Sequence, residues 1–87
     1  MPKVFIPPSM RALTGNEGIV DVDGATLGQV LEHLEQRYPG IKERICQGNS
    51  IRPGLAVAVA DSIATLGLFQ PTDADTEIHF LPAVGGG

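Results

Sequence analysis

Apolar residues occur in short clusters separated by proline, glycine and aspartate, and this pattern predicts several short strands around one helix. Residues 3–6 are mostly apolar and end at two prolines, which lack the N–H groups that a strand ladder needs. Residues 17–22 form a second strand pattern after a Thr-Gly-Asn turn signal. These two strands are expected to pair as a hairpin whose enlarged loop is an irregular connection over residues 9–16.

The clearest periodic pattern in the chain predicts an amphipathic helix. Its apolar side chains recur at helical spacing and are Leu27, Val30, Leu31, Leu34 and Tyr38. Thr26 is followed three residues later by Gln29, which is a capping-box pattern for the start of a helix. Residues 39–40 are Pro-Gly and end the helix, and residues 41–46 are expected to add one short turn with its isoleucines facing inward.

The second half of the chain predicts two further strands and a short edge strand. Residues 55–60 alternate Leu or Val with Ala, so one face suits a core while the other is flat. Residues 76–81 form the last strand, with Ile78 and Phe80 on one face and residues 77, 79 and 81 on the other. The edge strand is expected near residues 63–66, and residues 47–54 are expected to be a polar loop.

The order of these elements indicates an α+β domain of the β-grasp (ubiquitin-like) type. It predicts a mixed sheet of four to five strands with one main helix packed across one face. The first and last strands can lie side by side and parallel at the centre of that sheet. We therefore expect a β-grasp domain over residues 1–82, followed by a flexible glycine-rich tail at residues 83–87.

Composition limits the classes of partner and compartment. A chain of 87 residues forms one small domain, and its net charge of -4 without a basic cluster disfavours nucleic acid as a partner. The single cysteine cannot form an internal disulfide, and no apolar run is long enough to span a bilayer. We expect a cytoplasmic protein that binds neither nucleic acid nor membrane.

The side chains offer little independent chemistry. The two histidines and Cys46 do not stand in a metal-ligand spacing, and no glycine-rich loop joins a strand to a helix to hold a phosphate. Asp73 and Asp75 are expected to make hydrogen bonds within a turn. We therefore expect a protein that is not an enzyme and that binds no metal and no cofactor.

The unusual feature is the run of three glycines at residues 85–87, which chance would produce at a given place roughly once in a few thousand trials. A segment without side chains can enter a channel too narrow for Cβ atoms. The terminal carboxylate of Gly87 could then reach ATP on a partner, become an acyl adenylate, and accept sulfur as a thiocarboxylate. The alternative is an idle C-terminal end.

Three segments resemble one known family, the sulfur carriers of the ThiS/MoaD type. The ending Leu-Pro-Ala-Val-Gly-Gly-Gly of residues 81–87 is similar to the family's C-terminal motif, residues 73–81 resemble the entry to its last strand, and residues 25–31 resemble the start of its helix. The family includes a thiamine-pathway carrier, the small subunit of molybdopterin synthase and the carrier of a cysteine route. Residues 57–62 depart from the family pattern, and the ending favours the molybdopterin or cysteine route.

The resemblance implies specific roles for the tail and specific partners. Gly87 would carry the adenylate and then the thiocarboxylate, while Gly86 would provide the narrow approach. The implied partners are an adenylating enzyme of the ubiquitin-activating type, which uses ATP, a sulfur donor enzyme, and a downstream synthase or large subunit. Because Gly87 is the last residue of the sequence, no trimming of a precursor is expected.

Other residues are assigned by their place on the predicted elements. We expect a partner-docking surface formed by Phe5, Ala58, His79 and Leu81 on the sheet face away from the helix, joined by Val84 and Gly85 of the tail. The alternative is that the four sheet residues are ordinary surface. Cys46 is expected to be a small buried residue rather than a persulfide carrier, and Arg11 to be one of several scattered surface charges.

Two other functions remain open. A ubiquitin-like modifier would use the same activated tail to form isopeptide bonds with lysine side chains. A non-catalytic interaction subunit would keep the fold and leave the tail idle. Deleting residues 86–87 would leave the second of these proteins fully functional.

Overall fold

A computed structural model describes residues 1–82, so the predicted tail at residues 83–87 lies outside the described residues. The elements are β1 Lys3–Phe5, a first 3-10 helix Pro8–Thr14, β2 Ile19–Asp21, α1 Leu27–Arg37, α2 Ile41–Ile45, β3 Cys46–Gln47, β4 Ser50–Ile51, β5 Leu55–Val59, β6 Ser62–Ile63, a second 3-10 helix Gly67–Phe69 and β7 Glu77–Pro82. This order confirms the predicted α+β, β-grasp class.

The sheet has five strands in the order β2-β1-β7-β5-β6. The first and last strands, β1 and β7, pair in parallel, with Val4 opposite Ile78. All the other pairs in this sheet are antiparallel, and the longest runs from Leu55 opposite Pro82 to Val59 opposite Ile78. The last strand therefore lies at the centre, hydrogen-bonded on both sides.

The core lies between the inner face of this sheet and the apolar side of α1. Leu27, Val30, Leu31 and Leu34 of the helix are all fully buried, and they join the inner strand residues Val4, Val57, Ile78 and Phe80 in one cluster. Burying one such side chain contributes about 1.5–3 kcal/mol relative to leaving it exposed. The apolar residues that alternate along the strands and those that recur at helical spacing in α1 thus pack in one core.

The ends of the two helices are fixed by side-chain hydrogen bonds. The hydroxyl of Thr26 accepts the N–H of Gln29 at 3.2 Å, and the Gln29 side chain accepts the N–H of Ala25 at 2.9 Å, which confirms the capping box. The carboxylate of Glu35 accepts the N–H groups of Gly40 and Lys42, each at 2.9 Å. These bonds begin α2 and lower the pKa of Glu35.

Two segments predicted to be irregular contain regular structure. The first 3-10 helix occupies most of the connection after β1, where buried Thr14 donates its hydroxyl to the carbonyl of Glu17 at 2.9 Å. The polar loop at residues 47–54 contains part of the β3–β4 hairpin, whose Cys46 lies opposite Ile51. The predicted edge strand is shorter than expected and lies at Ser62–Ile63. The 3-10 helix and the hairpin bury Met10, Thr14 and Cys46, and local propensity does not encode that packing.

Ala60 has the left-handed φ of 56° in the two-residue turn that joins β5 to β6. Its N–H donates to the carbonyl of Glu77 at 3.0 Å, which holds this backbone conformation in place. A Cβ atom makes the left-handed region costly, whereas glycine adopts it freely.

Replacing Ala60 with glycine is expected to raise the free energy of unfolding by about 0.5–1 kcal/mol, because relief of the left-handed strain exceeds the added chain entropy. Urea denaturation followed by circular dichroism would measure the change. Ala56→Gly, in the extended strand β5, is the matched control and is expected to lower the free energy of unfolding by roughly 0.5–1 kcal/mol. Equal effects at the two positions would contradict the assignment of strain to Ala60.

Candidate functional site

The predicted chemical group, the carboxylate of Gly87, lies outside the described residues, together with Val84, Gly85 and Gly86. The structure describes the base from which these residues continue. Strand β7 runs up the centre of the sheet and ends at Pro82, opposite Leu55 of β5. Strand β1 pairs with β7 only as far as His79, whereas β5 pairs with it as far as Pro82, so the last described residue is held by β5.

The four sheet residues predicted to meet a partner lie together on the face opposite α1. Phe5 of β1 is in register with His79 of β7, and His79 is in register with Ala58 of β5. Leu81 follows two residues later on the same face of β7 and is 43% exposed. We call the surface formed by Phe5, Ala58, His79 and Leu81 the docking patch; its role in binding stays a prediction.

The centre of the docking patch is a stacked pair of rings. The rings of Phe5 and His79 lie 4.1 Å apart between centroids with an angle of 15° between their planes. The two stacked rings cover neighbouring strands of the outer face beside the smaller Ala58, and all three side chains are partly buried. Ring nitrogen Nε2 of His79 lies 3.4 Å from a carboxylate oxygen of Glu77.

Two further residues extend the docking patch and were not predicted. Ile19 of β2 is in register with Phe5 and is 52% exposed, and Ala56 of β5 is in register with Leu81. The period-two alternation of β2 and β5 could have placed both residues on this face. The strand order, which brings β2 beside β1, was needed to connect Ile19 to the patch.

Charge is unevenly distributed along β7. At the end of the sheet away from Pro82, Lys3 lies between Asp21 and Glu77 in register, and its Nζ atom is 3.1 Å from the Asp21 carboxylate. A shallow depression at the same end is lined by Ala60, Asp61, Asp75 and Glu77. This end is therefore acidic, whereas the end near Leu81 is mainly apolar.

A groove of about 480 Å³ opens beside the docking patch, at the end of the sheet where β7 stops. Its lining residues come from β1, the first 3-10 helix, β2, β7 and the segments on either side of that 3-10 helix, and they are Phe5, Ile6, Pro7, Pro8, Arg11, Gly18, Ile19, His79, Phe80 and Leu81. Most of these side chains are apolar, and Arg11 is the charged member. We call this feature the Arg11 groove.

Residues 1–82 contain no group of three or more histidine, cysteine, aspartate or glutamate residues that could hold a metal ion. Asp73 acts within its turn as predicted, because its carboxylate accepts the Thr76 hydroxyl at 2.9 Å and the Asp75 N–H at 3.2 Å. None of the described helices is both long and apolar enough to cross a bilayer.

Cys46 is buried, as expected for a packing residue. Burial raises the pKa of the Cys46 thiol, and it outweighs the opposing effect of the nearby Lys42 ammonium. A thiol with a raised pKa holds little thiolate near neutral pH, and thiolate is the form that reacts with sulfur. This environment does not favour a persulfide at Cys46.

Comparison with known proteins places this geometry among sulfur carriers and small modifiers. A family model described as the ThiS family matches residues 4–87. The sulfur carrier protein CysO of Mycobacterium tuberculosis is 35% identical over 91 residues, covering 97% of this chain and 96% of the relative.

Solved structures show the same fold. A chain of the Amycolatopsis orientalis BexX/CysO complex is 31% identical, with a TM-score of 0.91 and coverage of 100% of both chains. SAMP1 from Haloferax volcanii is 26% identical, with a TM-score of 0.71 and coverage of 99% of this chain and 98% of the other.

Iodoacetamide is expected to label the thiol of Cys46 at least about tenfold more slowly in the folded protein than in urea-unfolded protein at the same pH. The buried thiol must first be exposed by local unfolding, and a local-unfolding free energy of about 1.4 kcal/mol is enough for a tenfold difference. The raised pKa also predicts that labelling of the folded protein accelerates at a higher pH than labelling of the unfolded chain. Mass spectrometry of time points would measure both rates. Equal rates in the two states would show that Cys46 is accessible and would reopen its role as a sulfur carrier.

Proposed function

The chain belongs to the ThiS family, and on that premise we propose that it is a sulfur carrier whose C-terminal Gly87 is activated and then holds the sulfur. It is a small carrier rather than a catalyst. The observation that carries the proposal is the extent of the family match, which continues through residue 87 and so includes the glycine ending. We also propose that it works in the cytoplasm.

The proposed reaction has two steps, both catalysed by a partner. A carboxylate oxygen of Gly87 attacks the α-phosphorus of ATP, pyrophosphate leaves, and an acyl adenylate forms. Hydrosulfide, or sulfur delivered at the same oxidation level by a donor enzyme, then attacks the acyl carbon. The bond between that carbon and the phosphate oxygen breaks, and AMP leaves with the oxygen. The product is a thiocarboxylate on Gly87, from which a downstream synthase takes the sulfur.

Among the routes considered, we favour the cysteine-type route over the molybdopterin route. The relatives at 35% and 31% identity are named CysO, and they cover nearly the whole of both chains. The CysO of Amycolatopsis orientalis was solved in a complex with BexX. By analogy with that complex, we propose that this chain binds a partner protein and presents its tail to it.

The folded domain contributes the surface on which the activating partner docks. Two residues of the docking patch, His79 and Leu81, lie on β7, the strand that precedes the tail, so a partner that covers Leu81 is held close to residues 83–87. Five residues extend at most about 17 Å, so the partner's ATP site must lie within that distance of Pro82. This constraint favours docking around the end of β7.

A second candidate is a ubiquitin-like modifier. SAMP1, whose name is small archaeal modifier protein 1, shares this fold at 26% identity. Carrier and modifier both need the adenylate, and they differ in the nucleophile that attacks it. A lysine amine would form an isopeptide bond, whereas sulfur would form the thiocarboxylate.

The first test is intact-protein mass spectrometry after incubation with ATP, sulfide and a candidate adenylating enzyme. The expected result is a mass increase equal to the exchange of one oxygen for one sulfur. The control is a chain that lacks Gly87, which should gain no mass because it ends one residue short of the activated position. A gain that persists without Gly87 would contradict the proposed attachment site.

Two further observations distinguish the modifier and the idle-tail subunit from the carrier. Lysine-linked adducts in cell extract, without sulfide-dependent mass gain, would support the modifier. Normal function in a cell whose protein lacks residues 86–87 would support the interaction subunit with an idle tail.

The docking patch predicts a strong effect of Leu81→Asp on activation. A carboxylate placed in a desolvated interface is expected to reduce kcat/KM for ATP-dependent activation by roughly 30-fold or more. Phe69→Asp is the matched control, because Phe69 is 84% exposed on the second 3-10 helix, outside the docking patch. Activation of the Leu81 variant at the control's rate would rule out the docking patch.

A further inference from the structure

The segment between β6 and β7 is held against the start of α1. The N–H of Leu27 donates to the carbonyl of Gln70 at 2.9 Å. Gly28 permits this close approach, because a Cβ atom at its position would lie 3.1 Å from the carbonyl oxygen of Leu68. The second 3-10 helix, Gly67–Phe69, is therefore fixed on the surface of α1.

This fixed segment presents an aromatic ring to solvent. Phe69 is 84% exposed, more than any other large apolar side chain of residues 1–82, and Leu66 is 57% exposed. The N–H of Phe69 donates to the carbonyl of Leu66 at 3.1 Å, and the next residue accepts the bond from Leu27. The ring cannot turn inward without breaking this backbone arrangement. A large apolar side chain held in an exposed position on a rigid segment is typical of an interaction surface.

A groove of about 430 Å³ lies beside the Phe69 ring. Its walls come from the first turns of α1, from the second 3-10 helix, and from Lys42 and Asn49. We call this feature the Phe69 groove. The ring and the groove share one face of the molecule, so a projection stands next to a recess. A two-fold dimer needs such an arrangement, because the same patch of both copies must be complementary to itself.

Charge favours a second copy of this chain at this face. The chain carries a net charge of -4, so two copies repel each other in most orientations. Among the described residues that line the Phe69 groove, Glu32 and Lys42 are the charged ones, and they form an ion pair with each other. The groove lining is therefore neutral overall, and two copies that meet there avoid the repulsion between their acidic surfaces.

We propose that the Phe69 groove is a self-association site, in which the Phe69 ring of each copy enters the groove of the other. An aromatic side chain buries about 150–250 Å², so the two rings supply roughly 300–500 Å². A standard interface buries about 1,200–2,000 Å², so the dimer is weak and exchanges rapidly with monomer. The docking patch lies on the sheet face opposite α1, and pairing leaves it uncovered in both copies.

The test is sedimentation equilibrium of the full chain over a concentration series that reaches about 1 mM. Wild-type chain is expected to form a dimer as its concentration rises, and Phe69→Asp is expected to lower the association constant at least about 30-fold, because it removes both rings and places two carboxylates in the contact. Leu81→Asp is the matched control, since it adds the same charge at a partly exposed leucine on the opposite sheet face and should leave the association constant nearly unchanged. Phe69→Leu retains part of the apolar contact and is expected to fall between wild type and Phe69→Asp.

Nuclear magnetic resonance locates the contact without any substitution. The amide signals of Gly28, Leu68 and Phe69 are expected to shift between dilute and concentrated wild-type protein, while those of Phe5 and His79 in the docking patch stay in place. Raising the salt concentration from about 0.05 M to about 0.5 M should strengthen self-association, because it screens the repulsion between two acidic copies.

Three outcomes would overturn the inference. Wild-type chain that stays monomeric at every concentration would show that the Phe69 groove does not bind a second copy. Self-association that survives in Phe69→Asp and is lost in Leu81→Asp would assign the contact to the docking patch. Self-association that salt weakens would indicate a contact made by ion pairs instead of this neutral face. None of these measurements uses an adenylating enzyme, so the inference stands or fails independently of the proposed function.

Discussion

The parallel pairing of β1 with β7 is the contact on which the rest of the structure depends. It joins the two ends of the sequence, with Lys3 opposite Glu77 and Phe5 opposite His79. A parallel pair needs a long crossover connection, and here every other helix and strand of residues 1–82 lies between β1 and β7 along the chain. Closing so long a loop costs entropy, which the shared core of strands and α1 offsets. The same contact brings Phe5 onto His79 and so creates the centre of the docking patch.

The parts of the fold that could be predicted from sequence are those encoded by neighbours along the chain. The helix start at Thr26, the buried stripe of α1 and the two faces of β7 each follow from spacing within one element. The first 3-10 helix and the β3–β4 hairpin could not be predicted in this way. Their residues lack a repeating apolar pattern, and their conformations are fixed by contacts such as the hydroxyl of Thr14 with Glu17 and the pairing of Cys46 with Ile51.

The candidate site also contains one part that could be predicted from neighbours along the chain and one part that could not. The common face of Phe5, Ala58, His79 and Leu81 could be predicted, because period-two alternation places them there once the strand order is known. Arg11 was expected to be a scattered surface charge, since nothing in its neighbours along the chain distinguishes it. Its position at the groove depends on the hydrogen bond to the carbonyl of Ile6 and on the folding that brings Ile19 and Leu81 beside it.

The size of the domain limits how the proposed carrier can meet its partners. A standard interface buries about 800 Å² on each side, which is roughly a sixth of the 5166 Å² exposed by the described residues. Under the proposed function, the activating enzyme and the sulfur-using enzyme must both reach residues 83–87, which follow Pro82 in the sequence. We therefore expect both to dock around the end of β7, where overlapping footprints would let only one bind at a time. The first partner has to dissociate before the second can bind, so the interface must favour rapid dissociation over affinity. A partly exposed patch of two stacked rings, a leucine and an alanine, with charged groups at its two ends, combines modest apolar burial with electrostatically steered association.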